Sequence, residues 1–156
     1  MKYTRLTKEQ LEEMHEEFAR FLATQQINVI EWQKIKQETP EVAEQEIDVF
    51  SDLVWEKVLG NVTHLSKVDA QSVFLFHVEE ASMKLIVVKC STGGIDLTTK
   101  EGMTWVLENY KNDAVTIYNA QKPFSDDKKL DIFKLIEQGA AISDGAYYEY
   151  FKKLIA

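Results

Sequence analysis

Two runs of residues, SVFLFHV (72–78) and MKLIVVKC (83–90), place the strongest constraint on what this chain can fold into. Each is rich in β-branched and aromatic side chains, and four polar or small residues, EEAS, lie between them. That is the signature of a β-hairpin. Apolar residues fall on both faces of each run, so the hairpin must be covered on both sides or lie centrally in its sheet. Val73, Leu75, Ile86 and Val88 are its expected core positions. The rest of the chain therefore has to supply covering elements, and 156 residues are enough to do so without metal or disulfide staples.

The first 60 residues carry helical grammar. Thr7 and Gln10 form a capping box with Leu6 and Leu11 as a hydrophobic staple, and Leu11, Met14, Phe18, Phe21 and Leu22 continue as one apolar stripe. Asn28 and Glu31 open a second, short helix to about Gln37. Pro40, with Thr39 as its cap, opens a third that runs to about Leu59 and stops at Gly60-Asn61. Its apolar face reads as Val42, Ile47, Val49, Phe50, Leu53, Val54 and Val58. After the hairpin, Thr98 and Glu101 predict a helix through Tyr110, and AVTIYN (114–119) predicts a third strand, joined by a right-handed parallel crossover. A helix over about 126–138, a short edge strand at AAIS and a closing helix with Tyr147, Phe151, Leu154 and Ile155 on one side complete the reading. The expected fold is α+β: an N-terminal helical layer packed on a small mixed sheet of three or four strands, with C-terminal helices. We expect a single domain, 1–156, with a seam between a helical part of about 1–60 and a mixed part of about 61–156.

Charge and composition exclude several functions. The net charge is −8, and of 18 basic residues only Arg5 and Arg20 are arginine. Phosphate binding needs a basic surface and base readout leans on arginine, so direct nucleic-acid binding is not expected. Cys90 is the sole cysteine, which fits a reducing compartment. The N-terminal residues are charged at once, unlike a signal peptide. The longest aliphatic run, LIVV at 85–88, falls far short of the roughly 20 residues that span a bilayer. A cytoplasmic protein away from membranes is the expectation.

The third helix carries an acidic row, Glu44, Asp48, Asp52 and Glu56, at steps of four. Like charges at that spacing cost about 0.2–0.5 kcal/mol per pair. The row reads either as a solvated face or as a docking surface for a protein partner with a basic surface. The tail YYEYF cannot bury all its aromatic rings on one helix face, which makes Tyr148 and Tyr150 further interface candidates. Glu12 and His15 have the Glu-x-x-His spacing of di-iron bundles, yet neither His64 nor His77 supplies a second copy. No metal and no cofactor are expected, and His15 reads as a half-buried structural residue. Cys90 and His77 lie on neighbouring strands, but a cysteine closing LIVVKC reads first as a small buried hydrophobe. STGGID matches no phosphate-binding loop. Trp32, Trp55 and Trp105 lie at or beside apolar stripes.

The stretches LTKEQLEE, PEVAEQEIDVFSDLVWE, DLTTKEG, DIFKLI and YEYFKKLI resemble a family of small bacterial proteins known only as a domain of unknown function. The resemblance extends over nearly the whole chain. It implies a cytoplasmic bacterial protein and supplies no catalytic residues. The function expected from the sequence is a non-enzymatic interaction protein, an adaptor or complex subunit. The alternative is an enzyme of unrecognised type using carboxylates and a histidine in a cleft. Partner identity, substrate and oligomeric state are not written in the sequence.

Overall fold

The start signals of the N-terminal part act as read, with local exceptions. In the computed structural model, which describes residues 1–155, Thr7 and Gln10 form their reciprocal capping box and open α1, Lys8–Glu13. The expected single first helix is broken at Met14, which leaves helical geometry (φ −104°, ψ 23°) and separates α1 from α2, His15–Thr24. Asn28 caps α3, Val29–Glu38, by accepting from the Glu31 N–H. Pro40 begins α4, Pro40–Gly60. Thr39 stands at its N-cap position, its carbonyl accepting from the Val42 and Ala43 N–H groups at 2.9 and 3.3 Å. The Thr39 hydroxyl also donates back to the Ile35 carbonyl at 3.2 Å, so the same residue closes α3.

The chain divides into two compact units, Met1–Gly60 and Asn61–Ala156. Within the first, Phe50 is buried and meets Phe18 and Phe21, with ring centroids 5.0 and 5.4 Å away. Trp32 of α3 stands edge-on to Phe18 at 5.3 Å. The apolar face expected for α4 is only partly right. Ala43, Phe50, Ser51 and Leu59 are buried, whereas Val42, Val49, Leu53 and Val58 are exposed. Apolar character alone chose the wrong valines, because the buried side admits the small Ala43 and Ser51.

The second unit is built on five strands: β1 His64–Val68, β2 Ser72–Val78, β3 Ser82–Cys90, β4 Val115–Pro123 and β5 Ala141–Ser143. The sheet order is β4-β3-β2-β1-β5. The hairpin forms as expected, pairing Val73 with Val88 and Leu75 with Ile86, all four nearly inaccessible. Every neighbouring pair is antiparallel, so the sheet is not mixed and the parallel crossover is a misreading. Cys90 pairs with Val115, so the link through α5, Lys100–Glu108, returns the chain at the end where β3 stopped. A parallel strand would have had to start at the other end. The cap of α5 is Thr99, one residue past Thr98.

Alternation along the strands gives the sheet two distinct faces. On one, Val73, Leu75, Ile86, Val88 and Cys90 pack with Met103 and Val106 of α5 and with Tyr148 and Phe151 of α7, Ala146–Ile155. The other face presents Phe74, Phe76 and Leu85 towards Leu135 of α6, Lys128–Glu137. Among the described residues, no helix is long and apolar enough to cross a membrane.

Candidate functional site

The acidic row is occupied by the chain's own N-terminal segment. The Lys2 and Tyr3 backbone N–H groups donate to the two Asp52 carboxylate oxygens at 2.7 and 3.0 Å. Arg5 Nε donates to Asp48 Oδ1 at 2.6 Å. The Tyr3 hydroxyl donates to Glu56 Oε1 at 2.5 Å, and Lys2 Nζ stands 3.4 Å from the same oxygen. The Leu6 N–H then donates to the fully buried Ser51 Oγ at 3.0 Å. Asp48, Asp52 and Glu56 are accordingly half-buried and only Glu44 is exposed. The Arg5 hydrogen bond holds the Asp48 carboxyl below the usual range. Burial first, and the bond to Glu56 second, push the Tyr3 hydroxyl upward.

The tyrosines of α7 divide differently from the reading. Tyr148 is 4% exposed and Phe151 fully buried, whereas Tyr147 and Tyr150 are exposed. Both 147 and 148 lie a helical step before Phe151, and the sheet face takes 148. Tyr148 is therefore not a surface residue, while Tyr150 is, its hydroxyl donating to the Leu107 carbonyl at 3.2 Å.

What Tyr148 covers is a pair of histidines. In the β1–β2 register His64 stands opposite His77. The two rings stack with centroids 4.5 Å apart and an interplanar angle of 6°, and the Tyr148 ring lies 5.5 and 5.1 Å from them. Glu149, next along α7, brings Oε1 to 3.5 Å from His64 Nε2. His64 Nδ1 is paired with Thr63 Oγ1 at 3.0 Å. Among the described residues, His64 Nε2 and His77 Nδ1 are buried without a hydrogen bond. Burial, followed by the neighbouring His64, lowers the His77 pKa, which favours the neutral ring. Glu79, 3.9 Å from His77 Nδ1, is itself held by Lys84 at 3.0 Å.

The remaining candidates are not brought together. His15 is exposed rather than half-buried, and its Nδ1 pairs with the backbone carbonyl of Glu12 at 3.0 Å. Cys90 and His77 lie at opposite ends of the hairpin, because Cys90 closes β3 where Ser72 opens β2 and His77 pairs with Lys84. Cys90 is buried in the core.

On the opposite sheet face lies a half-open trough of about 540 Å³, within the roughly 300–1,000 Å³ typical of ligand sites. Phe76, Met83, Leu85, Ala120, Phe124 and Leu135 give it an apolar lining. Its charged lining residues are Asp131, Lys122 and Lys134. Asp131 is engaged: the Ser125 N–H and hydroxyl both donate to it at 2.8 Å. Among the described residues neither Lys122 nor Lys134 has an ion-pair partner. The sequence reading missed the trough because its walls come from β2, β3, β4 and α6, which no local pattern joins.

These features define an α+β protein with an open apolar trough on one face of its sheet and a stacked pair of histidines, one buried and one partly exposed, on the other. The chain belongs to a family of unknown function, DUF6495, whose sequence model matches residues 1–156. No curated protein and no solved structure matches it.

Proposed function

We propose that this chain is a non-enzymatic binding protein whose trough takes a small anionic amphipath, an apolar body bearing one carboxylate or phosphate head. The observation that carries this reading is the pair Lys122 and Lys134, two cations without ion-pair partners among the described residues and beside an apolar lining, in a chain whose net charge is −8. Apolar walls supply affinity by area, and a few placed polar groups supply orientation. A protein partner with a basic surface, the reading drawn from the acidic row, would have to displace Lys2, Tyr3 and Arg5 from Asp52, Glu56 and Asp48. Recognition is therefore assigned to the trough. A cytoplasmic setting belongs to this proposal, supported by the single free cysteine, Cys90; a bacterial one rests on the family resemblance alone.

Displacement of a fluorescent fatty acid by dodecanoate, dodecanol and dodecyltrimethylammonium tests the reading. Dodecanoate should bind at least about tenfold more tightly than the alcohol, roughly 1.4 kcal/mol, and the ammonium compound weakest. Lys122→Gln with Lys134→Gln should erase the preference, and Ala120→Trp should block the trough. No binding, or equal affinity for all three compounds, overturns the proposal.

A further inference from the structure

We infer that His64, His77 and Glu149 form a binding site for a divalent transition-metal ion of the zinc class. The site is independent of the trough, since His77 and Phe76 lie on opposite faces of β2. One potential ligand atom from each of the three residues lies within 4.8 Å of the other two. Around a tetrahedral Zn²⁺ with bonds of about 2.0–2.1 Å to nitrogen, donors stand about 3.3 Å apart. The 3.5 Å from His64 Nε2 to Glu149 Oε1 already meets that spacing.

His64 is prepared as a ligand. It is 9% exposed, and its Nε2 is buried without a hydrogen bond. A buried polar atom left in this state is unfavourable unless something engages it, and Glu149 Oε1 at 3.5 Å makes no hydrogen bond to it. Its other nitrogen is fixed by Thr63 Oγ1, the outer contact that sets tautomer and ring direction in metal-bound histidines. Gly145 holds the ring from behind: a Cβ there would stand 2.5 Å from the His64 ring. His77 is freer, with a side chain 24% exposed. The parallel stack cannot place one ion in both ring planes, so binding has to turn a ring, and His77 is the one with room. Glu149, 47% exposed, reaches in from α7 and leaves a solvent side for a fourth ligand.

Two imidazoles and one carboxylate select Zn²⁺, Co²⁺, Ni²⁺ or Cu²⁺ over Mg²⁺ and Ca²⁺, which prefer all-oxygen sites. Lys84 and Lys152 are the nearby cations, the first engaged by Glu79 and the second acting on His77 through charge alone. One adjacent carboxylate, Glu149, is thus left to the ion.

The test is calorimetric titration of the chelator-stripped full chain with Zn²⁺ near neutral pH, with the visible spectrum of Co²⁺ as a second readout. Wild type should take up a single equivalent with a rise in Tm, and Mg²⁺ and Ca²⁺ should leave Tm unchanged. Glu149→Gln and His77→Gln, both at accessible positions, should weaken Zn²⁺ at least about tenfold, the lower bound seen even for outer-shell changes. His64→Gln should do the same where it folds. His15→Gln should bind as wild type does. Absence of Zn²⁺ binding by wild type, undiminished binding by Glu149→Gln and His77→Gln, or loss confined to His15→Gln overturns the assignment.

Discussion

Gly102 is pressed against the backbone of Asp96: a Cβ at position 102 would collide with the Asp96 carbonyl oxygen and stand 3.1 Å from the Leu97 nitrogen. In an ordinary exposed helix interior, Gly→Ala gains about 0.8–1.0 kcal/mol. Here the sign reverses. The Asp96 carbonyl cannot retreat, because it accepts from the Thr99 hydroxyl at 2.7 Å and from the Thr99 N–H at 3.1 Å. Thr98 also ties down the Asp96 side chain. Gly102→Ala should therefore destabilise by about 1–3 kcal/mol, as overpacking does. A denaturant melt showing a gain would mean that the 96–99 loop moves freely.

Phe50 anchors the aromatic cluster of the first unit, with Phe18 and Phe21 around it. Phe50→Ala removes a large ring from a site that is 5% exposed and should cost about 3–5 kcal/mol. Urea melts check this, and a loss below about 1 kcal/mol would be incompatible with a core role.

The hairpin was legible because its pattern is local and doubly apolar. β1 was not: HLSKV has only two aliphatic residues among five, and it becomes a strand by pairing with β2. With β1 unread, the His64–His77 pair could not be seen, since 13 positions of sequence separate residues that the register sets opposite each other. The Glu-x-x-His spacing singles out only His15, which has no second copy and is exposed, so spacing alone carries no sign of the His64–His77 pair. The direction of β4 was misread for a related reason. A strand–helix–strand order suits parallel and antiparallel neighbours alike, and the Cys90–Val115 pairing that decides between them is tertiary. Ser51 escaped notice because a small polar residue signals nothing about burial, although its Oγ is the acceptor that fixes Leu6.

Acid should act on the N-terminal segment through Asp48. Its carboxyl pKa is lowered in the folded chain, mainly by the Arg5 hydrogen bond. The resulting stabilisation is fully present above the unfolded value of about 3.9 and is lost as pH falls through the lower, folded value. Arg5→Gln removes the cause of the shift, so its acid limb should be flatter than that of wild type below about pH 4. Parallel acid limbs in fluorescence-detected unfolding would show that the pair contributes nothing.

The acidic row finally separates a wet helix face from an internal docking strip. If Asp52 were only solvated, Asp52→Asn would relieve repulsion from Asp48 and Glu56, about 0.2–0.5 kcal/mol for each pair. Stability would hold or rise slightly. In the structure both Asp52 oxygens accept backbone N–H groups, from Lys2 and Tyr3. An asparagine keeps one acceptor and turns an NH₂ group towards the other donor. Hydrogen bonds to charged acceptors are worth about 1.5–3 kcal/mol, and partial exposure together with the relieved repulsion reduces this. A net loss of about 1 kcal/mol is expected. Faster hydrogen exchange at the Lys2 and Tyr3 amides should accompany it. Glu44→Gln, at the exposed member of the row, should stay within about 0.5 kcal/mol of wild type. A neutral Asp52→Asn with unchanged exchange at both amides would return the whole row to the status of a solvated face.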